Sequence, residues 1–154
     1  VDSVFSDNSG SNGGGLRINN GTTELSGLTF SENTTIAGSG GALYPNNGTL
    51  NGFNLLFVGN TADKYSGGAI HNNFSNTINL TDSIFKDNVA PANNAGAINN
   101  GDTAIVNLYG TTFSGNIAGK NKYGSAIYST GTLTVGKSAS GNSVFEGNKQ
   151  LSYA

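Results

Sequence analysis

The sequence predicts an all-β fold, a parallel β-helix, and three observations carry that prediction. The first is a Phe-x-x-Asn motif that recurs six times, at Phe5/Asn8, Phe30/Asn33, Phe57/Asn60, Phe85/Asn88, Phe113/Asn116 and Phe145/Asn148. Successive Phe positions lie 25, 27, 28, 28 and 32 residues apart, and a fixed period of roughly 20–50 residues marks a repeat architecture. The second is a run of small residues between those motifs: Gly14-Gly15-Leu16, Gly40-Gly41-Ala42-Leu43, Gly67-Gly68-Ala69-Ile70, Ala95-Gly96-Ala97-Ile98 and Gly124-Ser125-Ala126-Ile127. The third is that each period holds three short apolar segments separated by Gly, Asn, Ser and Thr. A unit this small cannot bury its own apolar face, so the units must stack.

Each segment has its own reason to be a strand. One leads into the Phe, as in Ser3-Val4-Phe5, Ser83-Ile84-Phe85 and Ser143-Val144-Phe145. A second follows the glycines and supplies Leu16, Leu43, Ile70, Ile98 and Ile127. The third alternates, with Ile78/Leu80, Val106/Leu108 and Leu133/Val135, and with Leu25 and Leu50 in weaker early copies. Period-two patterning over three to five residues is the strand signature, and no helical stripe is sustained over ten or more. Three strands per coil, five to six coils of about 27 residues and a rise of about 4.8 Å per coil give a rod roughly 25 Å long.

Stacking in register turns equivalent residues into ladders. The Phe side chains form an interior column, and the Asn three residues later sits where the chain turns, its amide free to bond backbone and the Asn above and below. Paired glycines permit positive φ and close backbone approach at another corner. These twelve Phe and Asn side chains are read as structural. The intervals from Thr34 to Ser39, Thr61 to Ser66, Val89 to Asn94 and Ile117 to Tyr123 read as loops. The last period gains about four residues near Gly136–Gly141, and insertions in a solenoid tend to emerge on its binding face.

Composition narrows the function. At 154 residues the chain reads as a single β-helix domain over 1–154, uncapped at both ends. Only 10% of residues are charged, and Gly and Asn number 24 each. The net charge of −2 comes with one Arg and six scattered Lys, so there is no basic stripe for a nucleic acid. No apolar run reaches the ~20 residues of a transmembrane helix. Lack of Cys excludes disulfides and thiolate chemistry. Lack of Met points to a processed or excised piece.

The repeated Phe-x-x-Asn and Gly-Gly-Ala-Ile motifs closely resemble those of polymorphic outer-membrane proteins and related autotransporter adhesin passengers. The resemblance spans essentially the whole chain. The departures are conservative: Gly14-Gly15-Leu16 lacks the Ala, Ala95 replaces a first Gly and Ser125 a second. It implies a right-handed parallel β-helix in a secreted, surface-exposed structural or adhesive protein, extracellular or on the cell surface. A host or cell-surface receptor or a glycan is the implied partner.

Catalysis finds little to build on. A glycosidase needs paired carboxylates about 5–9.5 Å apart in a groove. In-register stacking puts Asp7, Glu32 and Asp87 in one column, but beside the turn Asn, where solvated polarity is the simpler reading. Asp82 reads as a turn residue aligned with Asp2 and Asn142. His71 is the only histidine, which rules out a His-rich metal site. The expectation is therefore no enzyme, no catalytic residue, no metal and no cofactor, with a polysaccharide-degrading enzyme and a glycan-binding module as lesser alternatives. Thr pairs such as Thr22-Thr23 and Thr111-Thr112 form no regular column, which argues against ice binding. Candidate contact residues come from the position after the Leu/Ile column, reading Arg17, Tyr44, His71, Asn99 and Tyr128. Alternation places it on the outside, so Tyr44, His71 and Tyr128 are candidates, joined by Lys120, Lys122 and Tyr123 in one loop.

The sequence opens on Asp2-Ser3-Val4-Phe5 and closes on Asn142-Ser143-Val144-Phe145, the same strand of the repeat. Neither end carries an amphipathic helix or charged strand to act as a cap, and open solenoid ends are sheet edges that invite pairing. Two readings follow: a segment of a long adhesin, or a subunit that pairs with itself, stacking head to tail into an extracellular filament.

Overall fold

A computed structural model describes residues 2–152; Val1, Tyr153 and Ala154, at the limits of the expected domain, lie outside the described residues. The described chain is built of strands without a helix and winds as a parallel β-solenoid. Every pairing between named strands is parallel and joins one coil to the next, so all five Phe-to-Phe steps are in register, from Phe5↔Phe30 to Phe113↔Phe145.

Four sheets run along the solenoid, two of six strands and two of five. Three are the expected ones. The phenylalanine sheet contains Leu28–Ser31 and Ile84–Lys86, the sheet after the glycines contains Leu43–Asn46 and Ile70–Asn72, and the alternating sheet contains Thr49–Phe53 and Thr77–Thr81. The fourth corrects the count of three strands per coil. It consists of two-residue strands directly after each Asn, such as Thr34–Thr35, Thr61–Ala62, Val89–Ala90 and Ile117–Ala118. Two residues are too few to display a period of two, which is why these stretches read as the start of loops.

The interior holds the expected columns. Phe30, Phe57, Phe85 and Phe113 are fully buried, with ring centroids 4.6–4.9 Å apart from Phe5 through Phe145 and interplanar angles of 1–10°. Aromatic pairs alone prefer offset or edge-on contacts; here the coil rise imposes the parallel stack. The Leu/Ile column, the alternating strand and the motif alanines Ala42, Ala69, Ala97 and Ala126 complete the core. The weak second copy is explained by Gly52, which occupies the interior position of Leu80 and Leu25. A Cβ there would meet Leu80 Cδ2 at 2.6 Å and Leu55 Cδ1 at 2.7 Å, so neighbouring leucines fill the space.

The Asn column is a hydrogen-bond ladder with a direction. Asn60 Oδ1 accepts from the backbone N–H and the Nδ2 of Asn33, at 3.0 Å each, while Asn60 Nδ2 donates to Phe30 O and to Asn88 Oδ1, both at 2.9 Å. The same four bonds recur at Asn88 and Asn116. Every side-chain donor and acceptor is used, as a dry polar column requires.

The two motif glycines do different things. The first copy is corrected by register: Leu16 pairs with Leu43, so Gly13 and Gly14 are its glycine pair and Gly15 stands in the place of the Ala. The first glycine needs a left-handed backbone: Gly13, Gly40, Gly67 and Gly124 have φ between 64° and 76°, and Ala95 in the same column has φ 60°. The second, with ordinary φ, allows close approach. A Cβ at Gly68 would stand 2.1 Å from Gly96 O and 2.6 Å from Val89 N. Gly68→Ala is therefore expected to cost about 1–3 kcal/mol or more through backbone displacement. Ala95→Gly is expected to gain less than about 1 kcal/mol, since release of left-handed strain slightly exceeds the added chain entropy. Opposite shifts in the urea midpoint of the two variants check both.

Candidate functional site

Two outer faces carry the side chains able to meet a ligand. On the first, the sheet after the glycines, Arg17, Tyr44, His71, Asn99 and Tyr128 stand in one outward column. Register makes it a stack: the Arg17 guanidinium lies 5.6 Å from the Tyr44 ring centroid, and Tyr44 and His71 are parallel at 5.6 Å. Asn99 interrupts the column before Tyr128, which stacks instead on Tyr123 at 6.0 Å. The structure thus brings Tyr44 together with His71, and Tyr123 with Tyr128, and separates the two pairs. Lys120 and Lys122 belong to the turn that leads to Tyr123. There Lys122 N–H donates to Gly119 O at 3.1 Å, the Lys122 carbonyl accepts from Gln150, and Tyr123 N–H donates to Asn94 Oδ1 at 2.9 Å. Tyr44, His71 and Tyr128 are half-buried, while Tyr123 is exposed.

His71 is the electrostatic outlier. Burial lowers its pKa from 6.5 to about 4, against the opposing pull of a backbone hydrogen bond with Ser66. Its Nδ1 is buried without a hydrogen-bond partner among the described residues, which a neutral imidazole tolerates better than a cation. The unfolded chain takes up this proton near pH 6.5, the folded chain only near pH 4. Stability is therefore full above about pH 6.5, falls as pH drops through that window and levels off below it. The loss amounts to up to about 3 kcal/mol. Urea midpoints measured from pH 7.5 to 3.5 should show this fall, and a His71→Gln variant should flatten it.

The second face was not singled out by sequence. On the outside of the alternating sheet, three columns run parallel to the axis. Thr22, Thr49, Thr77, Ile105 and Thr132 form one, so a nearly regular Thr column exists where the sequence reading expected none. Its members sit one coil apart, out of sight of a search for adjacent Thr pairs. Glu24, Asn51, Asn79 and Asn107 form a second amide ladder, with Asn51 Nδ2 donating to Glu24 Oε1 at 2.6 Å, Asn79 Nδ2 to Asn51 Oδ1 at 2.7 Å and Asn107 Nδ2 to Asn79 Oδ1 at 2.8 Å. Ser26, Phe53, Thr81 and Tyr109 form the third, and both its aromatics are exposed. Between the last two columns lies an open groove of about 380 Å³, lined by Glu24, Ser26, Asn51, Phe53, Asn79 and Thr81 over the backbone of Leu25 and Gly52. The signal for it was available: the alternation that sends Leu108 inward sends Tyr109 outward.

The carboxylates behave as turn residues. Asp7, Glu32 and Asp87 have φ of 53–55° and share their corner with Gly59, Gly115 and Gly147 at φ 60–64°. The Glu32 and Asp87 carboxylates lean over Gly59 and Gly115, where a Cβ would meet them at 2.1 and 2.2 Å. Asp82 does more than turn the chain. It accepts hydrogen bonds from Ser138 and, at 3.0 Å, from Ser140, pinning the inserted loop across Gly110. Among the described residues no group of three His, Cys, Asp or Glu side chains is arranged to hold a metal ion, and no helix is long and apolar enough to cross a membrane.

Comparison with known proteins gives one match. The family model described as Chlamydia polymorphic membrane protein (Chlamydia_PMP) repeat matches residues 27–44, 54–73 and 110–130. Each segment contains one Phe-x-x-Asn motif and the glycine corner of the same coil, ending just past Leu43, Ile70 or Ile127. No curated protein and no solved structure matches the chain. Over those three segments the chain is similar to the Chlamydia polymorphic membrane protein repeat, and it is folded as a parallel β-solenoid.

Proposed function

We propose that the chain is a non-catalytic, secreted adhesive and structural module, displayed at a cell surface as a stiff rod that presents contacts along its outer faces. The observation that supports this reading is the division of labour within each coil. The repeated Phe, Asn and Gly positions are consumed by internal ladders, which leaves the outward columns free to vary, as Arg17, Tyr44, His71, Asn99 and Tyr128 do. The family of the matched repeats is one of membrane proteins, which agrees with surface display. Single contacts on such a rod are weak, and avidity comes from many copies. Beads coated densely with the chain should adhere to cultured host cells more than albumin-coated beads, and free chain should compete only at high concentration. Adherence no greater than that of albumin would end the adhesive reading.

Head-to-tail assembly into a filament is the second reading, and the polarity of the Asn ladder favours it. Among the described residues, Asn8 presents an unused Oδ1 on one side of the stack, while Asn148 presents its backbone N–H and an Nδ2 hydrogen on the other. A further coil, from the same chain or a second copy, would complete both. Ser125 opposes strict continuation at the glycine corner. A Cβ at each preceding Gly of its column would stand 2.1–2.4 Å from the carbonyl of the same position one coil on. Negative-stain microscopy across protein concentration separates the two readings: fibres with a subunit repeat near 25 Å support assembly, and monomers at all concentrations exclude it.

A further inference from the structure

We propose that the groove beside the outer amide ladder is a binding site for a neutral, extended β-1,4-linked glycan chain lying along the solenoid axis. This deepens the adhesive reading and rests on it.

The aromatics come first. Phe53 and Tyr109 point outward from the same column, two coils apart, with the smaller Thr81 between them. At about 4.8 Å per coil their backbone positions are about 10 Å apart along the axis. The Tyr109 ring lies along the sheet because Gly136 follows it in the column. A Cβ there would meet one edge of the ring, Cδ1 at 2.9 Å and Cε1 at 3.1 Å, so the missing side chain makes room for a ring that remains 38% exposed. An aromatic platform at every second coil suits a β-1,4 chain. Its equatorial linkages keep it extended, its rise over two sugars is close to that of two coils, and successive sugars flip, so alternate sugars present the same face. The apolar C–H face of a sugar packs on an aromatic ring while its hydroxyls remain at the edge.

The edge is also provided for. Asn51, Asn79 and Asn107 each spend one amide N–H on the ladder, which leaves the second N–H of each primary amide for a sugar hydroxyl. The Ser26 and Thr81 hydroxyls line the opposite wall and both donate and accept. Charge selects a neutral ligand. Glu24 is the one charged side chain lining the groove, already engaged by Asn51, and no Lys or Arg lines it to attract an anion. The groove volume of about 380 Å³ falls in the usual range for a small-ligand cleft, about 300–1,000 Å³.

The test titrates cellohexaose and chitohexaose into the isotopically labelled chain, with amide chemical shifts as the readout and α-linked maltohexaose as the control. The expected result is saturable shifts at Asn51–Phe53, Asn79–Thr81 and Asn107–Tyr109, including the Asn side-chain amides, with a β-linked probe and none with maltohexaose. Phe53→Ala and Tyr109→Ala should each weaken binding about tenfold. Both side chains are exposed, so the circular dichroism spectrum should be unchanged, and Tyr123→Ala, on the other face, should leave affinity intact. Absence of saturable shifts with both β-linked probes, equal response to maltohexaose, or unchanged affinity in both aromatic variants would each overturn the site. The bead assay keeps the two readings apart. If coated beads adhere equally with wild type and Phe53→Ala while neither glycan binds, this site is wrong and the adhesive reading stands.

Discussion

Phe85→Ala is expected to remove about 3–5 kcal/mol of stability, a large part of the roughly 5–15 kcal/mol typical of a domain. Phe85 is fully buried and stacked on both sides, 4.6 Å from Phe57 and 4.7 Å from Phe113. Its removal breaks two ring contacts and opens a cavity that cannot collapse, because the coil spacing is fixed by the hydrogen bonds of the neighbouring strands. Phe145→Ala is the internal control. Its ring is 47% exposed and stacked on one side only, so its loss should be about 1 kcal/mol. Urea unfolding followed by far-ultraviolet circular dichroism gives both values. Equal losses at the two positions would mean that the Phe column is not the continuous core described here.

Asn88→Asp is expected to be as damaging as Phe85→Ala although it exchanges one NH2 for one oxygen. Asn88 Oδ1 accepts from the backbone N–H and Nδ2 of Asn60, and an aspartate would preserve both bonds. Asn88 Nδ2, however, donates to Phe57 O and Asn116 Oδ1, each at 3.0 Å. A carboxylate would set an anionic oxygen against two acceptors inside the protein, at a cost of about 3–5 kcal/mol. The pH dependence gives the signature. Burial and the facing acceptors raise the folded-state pKa of this carboxyl above its unfolded value of about 3.9. The folded variant therefore binds a proton that the unfolded chain does not, and its stability recovers as pH falls through the raised pKa. His71 acts with the opposite sign between about pH 6.5 and 4, so the informative quantity is the variant-minus-wild-type difference at each pH. A difference that does not shrink towards acid would contradict the ladder polarity.

The fold was legible because each repeated residue type answers one geometric demand. Phe85 must stack, Asn88 must use both sides of its amide, and Gly67 must adopt a left-handed backbone, so all recur at one spacing. What stayed hidden was short or compensated. The Val89–Ala90 strand is too brief to alternate, and Gly52 breaks an apolar column that Leu55 and Leu80 then fill from elsewhere. The candidate site was legible only in part. Tyr44, His71 and Tyr128 were correctly assigned to one outward column, yet neither the stacking of Tyr44 on His71 nor the depth of His71 burial follows from their spacing. Phe53 and Tyr109 do not repeat at every coil, so a search for repetition passes over them. Binding surfaces on such a rod are written in the departures from the repeat.

Because the hydrogen bonds between coils run along the rod axis, the solenoid has a mechanical character set by its winding. A pull between the two ends is carried by every coil interface, but an end coil is held on one side only and its bonds open one after another, so the outermost coil peels away first. Each release should free about 28 residues, or about 95 Å of extended chain. A tether of this kind yields stepwise under load and can rewind coil by coil onto the intact stack, dissipating force between a surface and whatever its outer faces hold.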